Sequence, residues 1–302
     1  MTEKGFKDFC ISIEGKKYFE EIGYLRNEQY FSMKTQNTGT SDDYYMETED
    51  LKNWAYEISK SYTPYNNDHA LLIKDLLEKR KGQYSNATLY SSSRFITEMF
   101  RTEEHRVKFL NLISTKINEK LNINEQKWIL EYRLPIFEDN ESHPAQLDLA
   151  IIDEKKHIFI GVESKMKEIY KNYYNDFSNR YKGKLEEIKE EIKEEKVFYI
   201  DYNGGTKESP IRIKIKDHEF CNFYYKQQIC HLLGMQYHKK QKSNDYKYYF
   251  LNFVFDVSEK MKCEKIKEYR ENEKNVMKFL KQSFEKNGVT YLGLFTQSDL
   301  IK

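Results

Sequence analysis

Gln146-Leu147-Asp148-Leu149-Ala150-Ile151-Ile152 and Ile158-Phe159-Ile160-Gly161-Val162-Glu163-Ser164-Lys165 are consecutive apolar segments, separated by the polar stretch Asp153-Glu154-Lys155-Lys156. Short runs rich in β-branched and aromatic residues, bounded by polar turns, predict two β-strands. Strand side chains alternate between faces, so Glu163 and Lys165 share one face while Ser164 joins Ile160 and Val162 on the other. By the same alternation Asp148 falls with Ala150 and Ile152, opposite Leu147, Leu149 and Ile151. Paired as a hairpin, the strands bring two carboxylates and one ammonium to a single place. Charges inside apolar strands are costly unless paired or metal-bound, so their presence points to chemistry. The alternative is an edge strand with its charges in water. Residues 158–162 speak against it, because an almost unbroken apolar run suits a strand covered on both faces.

Two carboxylates from neighbouring strands form a hard, oxygen-rich site suited to Mg²⁺, with Mn²⁺ as an alternative occupant. A lysine beside them can orient or deprotonate an attacking water while the metal stabilises charge on a phosphoryl oxygen. Hydrolysis of a phosphodiester needs these parts.

Asp148 followed by Glu163-Ser164-Lys165 resembles the motif of the PD-(D/E)xK, or restriction-endonuclease-like, nuclease superfamily. Leu147 stands where that family often has proline. The resemblance covers about 92–256, with a final strand near 289–296, and extends to the order helix, strand, strand, strand. It implies an α/β fold with a mixed central sheet flanked by helices. Asp148, Glu163 and Lys165 would be catalytic, with Asp148 and Glu163 as metal ligands. The implied activity is that of a Mg²⁺-dependent DNA endonuclease of a restriction or defence system. Double-stranded DNA would be the partner, with a homodimer compatible with that role. The alternative is a non-catalytic nucleic-acid-binding or assembly protein on the same fold. The family often adds a glutamate from the first core helix; Glu98 is favoured here as the third metal ligand, with Glu104 and Glu131 as further candidates. Some members carry a Gln four residues before an aromatic on a later helix. Gln227 and His231 have that spacing, with His replacing the aromatic, and Gln228 lies adjacent.

The 302 residues suit one large domain or a domain with an appendage. Charged residues are 33% and the formal charge is only +1, so any nucleic-acid contact must rely on a local basic patch. One such patch is Lys239-Lys240-Gln241-Lys242 followed by Tyr246-Lys247-Tyr248-Tyr249, whose plainer reading is a solvated loop entering a strand. Tyr alone supplies 25 residues; its ring can close a core while its hydroxyl reaches water. Four scattered cysteines form no Cys-x-x-Cys pair, and no signal peptide or membrane-spanning stretch is present, so a cytoplasmic, non-membrane protein with reduced thiols is expected. His218, Cys221, Cys230 and His231 fit no common zinc spacing and read as ordinary buried residues. His143-Pro144 reads as a loop turn.

Residues 1–90 read as a helical N-terminal extension, with helices at 49–60 and 68–81 and turn-rich polar stretches at 35–43 and 62–68. Residues 91–302 read as the core. Ser91-Ser92-Ser93 offers N-cap hydroxyls for a helix, and Thr102 caps a second running to about 121. Further expectations are a strand at 128–135, a charged helix at 184–196, strands at 197–200 and 211–216, a helix at 222–237, a strand at 248–255, a helix at 260–286 and a strand at 290–295.

Overall fold

The structure, a computed structural model, describes residues 2–24, 33–37, 42–46, 48–77, 79–80, 83–84, 91–138, 144–192, 197–242, 245–258, 260–261 and 263–301. His143 lies outside them.

The N-terminal region holds α1 (Glu3–Ile11), α2 (Ile13–Glu21), the ribbon β1 (Met33–Asn37) with β2 (Asp42–Met46), α3 (Thr48–Ser59), α4 (His69–Leu76) and the short ribbon β3 (Lys79–Arg80) with β4 (Gln83–Tyr84). It is therefore not purely helical. Of the turn-rich stretch at 35–43, residues 35–37 and 42–43 lie in these paired strands, whose polar composition lacks the apolar alternation that announces a strand, and 38–41 lie outside the described residues. The helix expected over 68–81 ends at Leu76, and Lys79 and Arg80 are already in a ribbon. The first two helices carry capping signals: the Thr2 hydroxyl accepts from Gly5 N–H, and the Ser12 hydroxyl accepts from Gly15 N–H. They anchor by aromatic packing. Phe6 stacks on Tyr170 with centroids 4.8 Å apart, Phe19 lies 5.5 Å from Phe255, and Tyr24 meets Phe95 edge-on.

The core is a five-stranded sheet flanked by helices. Its strands are β5 (Gln126–Leu134), β6 (Ala145–Asp153), β7 (Ile158–Lys165), β11 (Lys247–Val254) and β12 (Val289–Thr296), in the order β12-β11-β7-β6-β5. Pairing is antiparallel from β5 to β6 and β6 to β7, then parallel from β7 to β11 and β11 to β12. The sheet is thus mixed. On one face lie α5 (Ser92–Met99) and α6 (Glu103–Ile117), whose Phe95, Phe100 and Phe109 pack on Phe253. On the other lie α8 (Tyr225–Gln241) and α9 (Glu264–Lys286), which bring His238 onto Phe159 and Phe284 onto Phe250. Every residue of β7 is buried, as its apolar run requires. Gly161 has a steric reason to lack a side chain: a Cβ there would sit 2.9 Å from Leu147 and 3.1 Å from Met235 of α8.

Between β7 and α8 the chain builds a second sheet, β8 (Asn175–Phe177), β9 (Phe198–Asp201) and β10 (Ile211–Ile215), antiparallel in the order β8-β10-β9, together with α7 (Lys182–Glu191). A short α10 (Ser298–Ile301) follows β12. Helix α6 stops at Ile117, short of 121, because Asn118 takes the left-handed conformation and caps it. Lys239, Lys240 and Gln241 are not loop residues but the last turn of α8, where cations oppose the helix dipole favourably. No helix among the described residues is long and apolar enough to cross a membrane.

Candidate active site

Strands β6 and β7 pair only as far as Leu149 opposite Val162 and then part. The gap frees the backbone N–H of Ser164, which donates to Asp148 Oδ2 at 2.6 Å. Asp148 Oδ1 receives the Ser93 hydroxyl from α5 at 3.4 Å. Just beyond, the Lys165 ammonium donates to Glu163 Oε1, and His231 Nε2 of α8 lies 2.8 Å from Glu163 Oε2. Glu163, Lys165 and His231 are buried, whereas Asp148 keeps some exposure. The site opens on its Asp148 side.

Strict alternation fails at Asp148, and the reason is on the neighbouring strand. Trp128 and Tyr132, four residues apart on β5, should share a face. Trp128 packs on Phe100 at the end of α5, however, and Tyr132 on Phe159 and on His238 of α8, so they lie on opposite faces. The switch falls at Glu131, which has φ +51°, a left-handed conformation rare for a non-glycine residue within a strand. Leu130 pairs with Leu149 and Tyr132 with Leu147, while Glu131 and Asp148 between them are unpaired. Leu147 accordingly lies against the position of Gly161 and near Met235, not opposite them. Asp148 therefore does not project from a regular face. It sits where the ribbon crosses over, and its carboxylate turns into the gap between β6 and β7.

The electrostatics follow from this crowding. Burial and the charge of Glu163 push the Asp148 carboxyl well above its ordinary range, against the opposing pull of Lys165, with Glu131 adding to the rise. Burial would push Glu163 up as well, but the Lys165 ammonium and the His231 ring override it and hold Glu163 at about 2. Burial would neutralise Lys165, yet Glu163, Asp148 and Glu168 hold its affinity for the proton above that of a free lysine. A lysine so held is charged. It can orient a water and stabilise negative charge, but it does not accept a proton in this state.

The other expected residues lie elsewhere or play other parts. Glu98 is buried, but its Oε1 accepts the Trp54 indole N–H at 2.5 Å and its Oε2 lies 3.9 Å from Arg101, so it is engaged by the N-terminal region and by a residue just past its own helix. Ser93 points to Asp148, and Glu98, five positions further along the helix, is turned from it by more than a third of a turn. Glu104 is exposed on α6 and paired with Lys108 at 3.1 Å. Glu131 is buried on β5 within electrostatic reach of Asp148. Gln227 is half-buried; Gln228 is fully buried, and its amide has no protein hydrogen-bond partner. His218 bonds Asn272, Cys221 contacts Phe223 O, and Cys230 contacts Tyr181, so no zinc cluster forms from these residues. Sequence reasoning missed three contributors. His231 grips Glu163, Ser93 touches Asp148, and Glu168 accepts both the Ser92 hydroxyl at 2.6 Å and Met166 N–H at 3.1 Å, tying α5 to the end of β7. The triple serine was legible only as a cap; its distal partners were not.

Among the described residues no group of three or more His, Cys, Asp and Glu side chains is arranged to hold a metal ion. The donor set nevertheless suits Mg²⁺, which binds through one or two carboxylates and retains water. The like-charge pressure that raises Asp148 is what a divalent cation would relieve. Each Glu163 oxygen already carries one hydrogen bond, from Lys165 or from His231, so a cation would share an oxygen with one of them or take its place.

No protein-family model matches the chain, and neither a curated protein nor a solved structure matches it.

Proposed function

We propose that this protein is a divalent-metal-dependent nuclease of the restriction-endonuclease-like type, acting on DNA in a restriction or defence role. One observation carries the reading: Asp148, Glu163 and Lys165 converge, largely buried, at the point where two core strands separate. Desolvating two carboxylates and an ammonium together is costly, and such arrangements cluster at functional sites. The antiparallel, antiparallel, parallel pairing from β5 through β11 supports the same reading.

Asp148 and Glu163 would hold Mg²⁺, or Mn²⁺ in its place, and the ion would supply Lewis-acid stabilisation of the phosphoryl oxygens. His231 fixes one oxygen of Glu163, and Ser164 N–H and the Ser93 hydroxyl fix Asp148, so both carboxylates are oriented before substrate arrives. Lys165, charged, orients the attacking water and stabilises the negative charge that develops. Glu98, bound to Trp54, has a structural role in this reading.

The test is incubation of the purified chain with linear and circular DNA, and with RNA, in Mg²⁺ or in EDTA. Cleavage in Mg²⁺ alone, lost in Asp148→Asn, is the expected result. Binding without cleavage of any substrate would favour the non-catalytic alternative.

A further inference from the structure

The second sheet carries an unusual outer face. Of the eight large hydrophobic side chains exposed among the described residues, four lie within 174–220: Tyr174, Tyr199, Tyr202 and Phe220. Three of them line up. Lys214 is opposite Tyr199 across β10 and β9, and the β8–β10 register, continued one residue, sets Tyr174 opposite Lys214. Tyr173 bridges to Cys221, which sets Tyr174 beside Phe220, and their rings pack at a tilt of 32° with centroids 4.5 Å apart. The resulting row runs Phe220, Tyr174, Lys214, Tyr199. The Arg212 guanidinium lies 3.9 Å over the Tyr174 ring. The inner face of the same sheet is apolar, with Phe177, Phe198, Ile211, Ile213 and Ile215 all buried. Nothing in the packing of the sheet therefore requires aromatic rings on its outer side.

The row adjoins, in the chain, residues that lie near the site. Tyr173, next in the chain to Tyr174, donates its hydroxyl to the Glu168 carbonyl at 3.3 Å and packs on Tyr224, and both phenols feel the charge of Lys165. The cations of the row have counterions already: Asp176 holds Arg212 with two hydrogen bonds, and Asp201 and Glu219 flank Lys214. A partner held purely by charge would find little free charge here. A partner with flat rings and a thin line of negative charge would find both stacking surfaces and cations that can exchange partners.

We propose that this face binds an unpaired segment of nucleic acid, its bases stacking on Phe220, Tyr199 and the Tyr174 face that Arg212 now covers, with Arg212 and Lys214 turning to its phosphates. Adjacent strands are about 4.8 Å apart, so the four-position row is roughly 14 Å long, room for two or three stacked nucleotides. The choice of nucleic acid rests on the nuclease reading above. Duplex bases are already stacked and present no open face to the row, so single-stranded or locally unpaired substrate is favoured over duplex.

The test is fluorescence anisotropy of dye-labelled 20-nucleotide single strands and the matching duplex with the full chain in EDTA, where binding is read without cleavage. The single strand should bind more tightly than the duplex. Tyr174→Ala combined with Tyr199→Ala should weaken single-strand binding at least about tenfold, because stacking contributes strongly per base. The two rings lie at the surface, and Tyr174 loses only its contacts with Phe220 and Arg212, so thermal melting should fall by no more than about a few degrees. Leucine at both positions should not rescue binding, whereas phenylalanine should. Equal binding of single strand by the alanine variant overturns the proposal. So does a variant that loses only self-association in sedimentation, since the face is then a contact between copies, or one that loses only a bound peptide. Single-strand binding that depends on the row, without any cleavage in Mg²⁺, would uphold this inference and remove the nuclease reading. Cleavage in Mg²⁺ with binding indifferent to the row would do the reverse.

Discussion

Replacing Lys165 by methionine removes the ammonium and keeps most of the side-chain volume. Glu163 is 2% exposed and Lys165 6%, so the loss falls on a buried pair. Truncating one partner of such a pair costs about 3–5 kcal/mol, because the other charge stays buried. At about 2–3 °C per kcal/mol in a chain of this length, the melting temperature in EDTA should fall on the order of 10 °C. Mg²⁺ supplies a replacement cation: at a hundredfold excess over its dissociation constant it stabilises by about 2.7 kcal/mol, so much of the loss should return. Adding Asp148→Asn should also restore stability, since it removes the carboxylate that presses on Glu163. The pH dependence has a definite sign. Glu163 has a folded value of about 2, below its unfolded value, so its stabilisation is complete above roughly pH 4.3 and is lost as pH falls toward 2. Lys165→Met should flatten that acid limb. Differential scanning fluorimetry over pH, with and without Mg²⁺, reads all of this. A variant that melts with the wild type in EDTA would refute the buried pair and leave Lys165 a solvated charge.

Asp148→Asn alone should raise the melting temperature in EDTA at neutral pH, because a carboxyl whose folded value is raised favours folding below its unfolded value and loses that contribution as pH rises; a fall in melting temperature would contradict it. Glu131→Gly should be more stable than Glu131→Ala by about 1–2 kcal/mol in chemical denaturation, since of the two only glycine accepts φ +51° without strain; equal stabilities would remove the strained crossover from the account. Trp54→Phe leaves the buried Glu98 carboxylate without its indole donor and should cost about 1–3 kcal/mol, while Mg²⁺ affinity measured by calorimetry stays unchanged. A drop in that affinity would return Glu98 to the metal site.

The two central strands were legible because 158–162 is apolar throughout and because Asp148, Glu163 and Lys165 interrupt the pattern at places where charges are expensive. Periodicity did not reveal that the ribbon switches faces, since the left-handed turn at Glu131 uses a residue that carries no such signal, unlike glycine or asparagine. Glu98 was a ligand candidate because it borders the apolar stripe of its helix. Its partner, Trp54, comes from 44 residues away, and no local pattern encodes that contact. His231 was visible only as a departure from a glutamine-to-aromatic spacing; its contact with Glu163 spans 68 residues. The helices α1 and α2 were missed although Thr2 and Ser12 cap them, because their apolar residues are few and their anchoring rings, Tyr170 and Phe255, lie far along the chain. The outer row of the second sheet needs the β8–β10–β9 register to exist at all, and β8 is only three residues long.

The most direct measurement is single-turnover hydrolysis of a labelled DNA substrate by Lys165→Met, saturated with Mg²⁺ and kept well below its melting temperature. DNA affinity should stay near wild type and Mg²⁺ affinity should not fall, because Asp148 and Glu163 remain and Glu163 loses a competing cation, while the rate of bond cleavage falls by about a hundredfold or more with loss of the charge that orients the water and stabilises the developing anion. Cleavage at the wild-type rate would show that Lys165 has no part in the chemistry and would contradict the assignment of Asp148, Glu163 and Lys165 as one site.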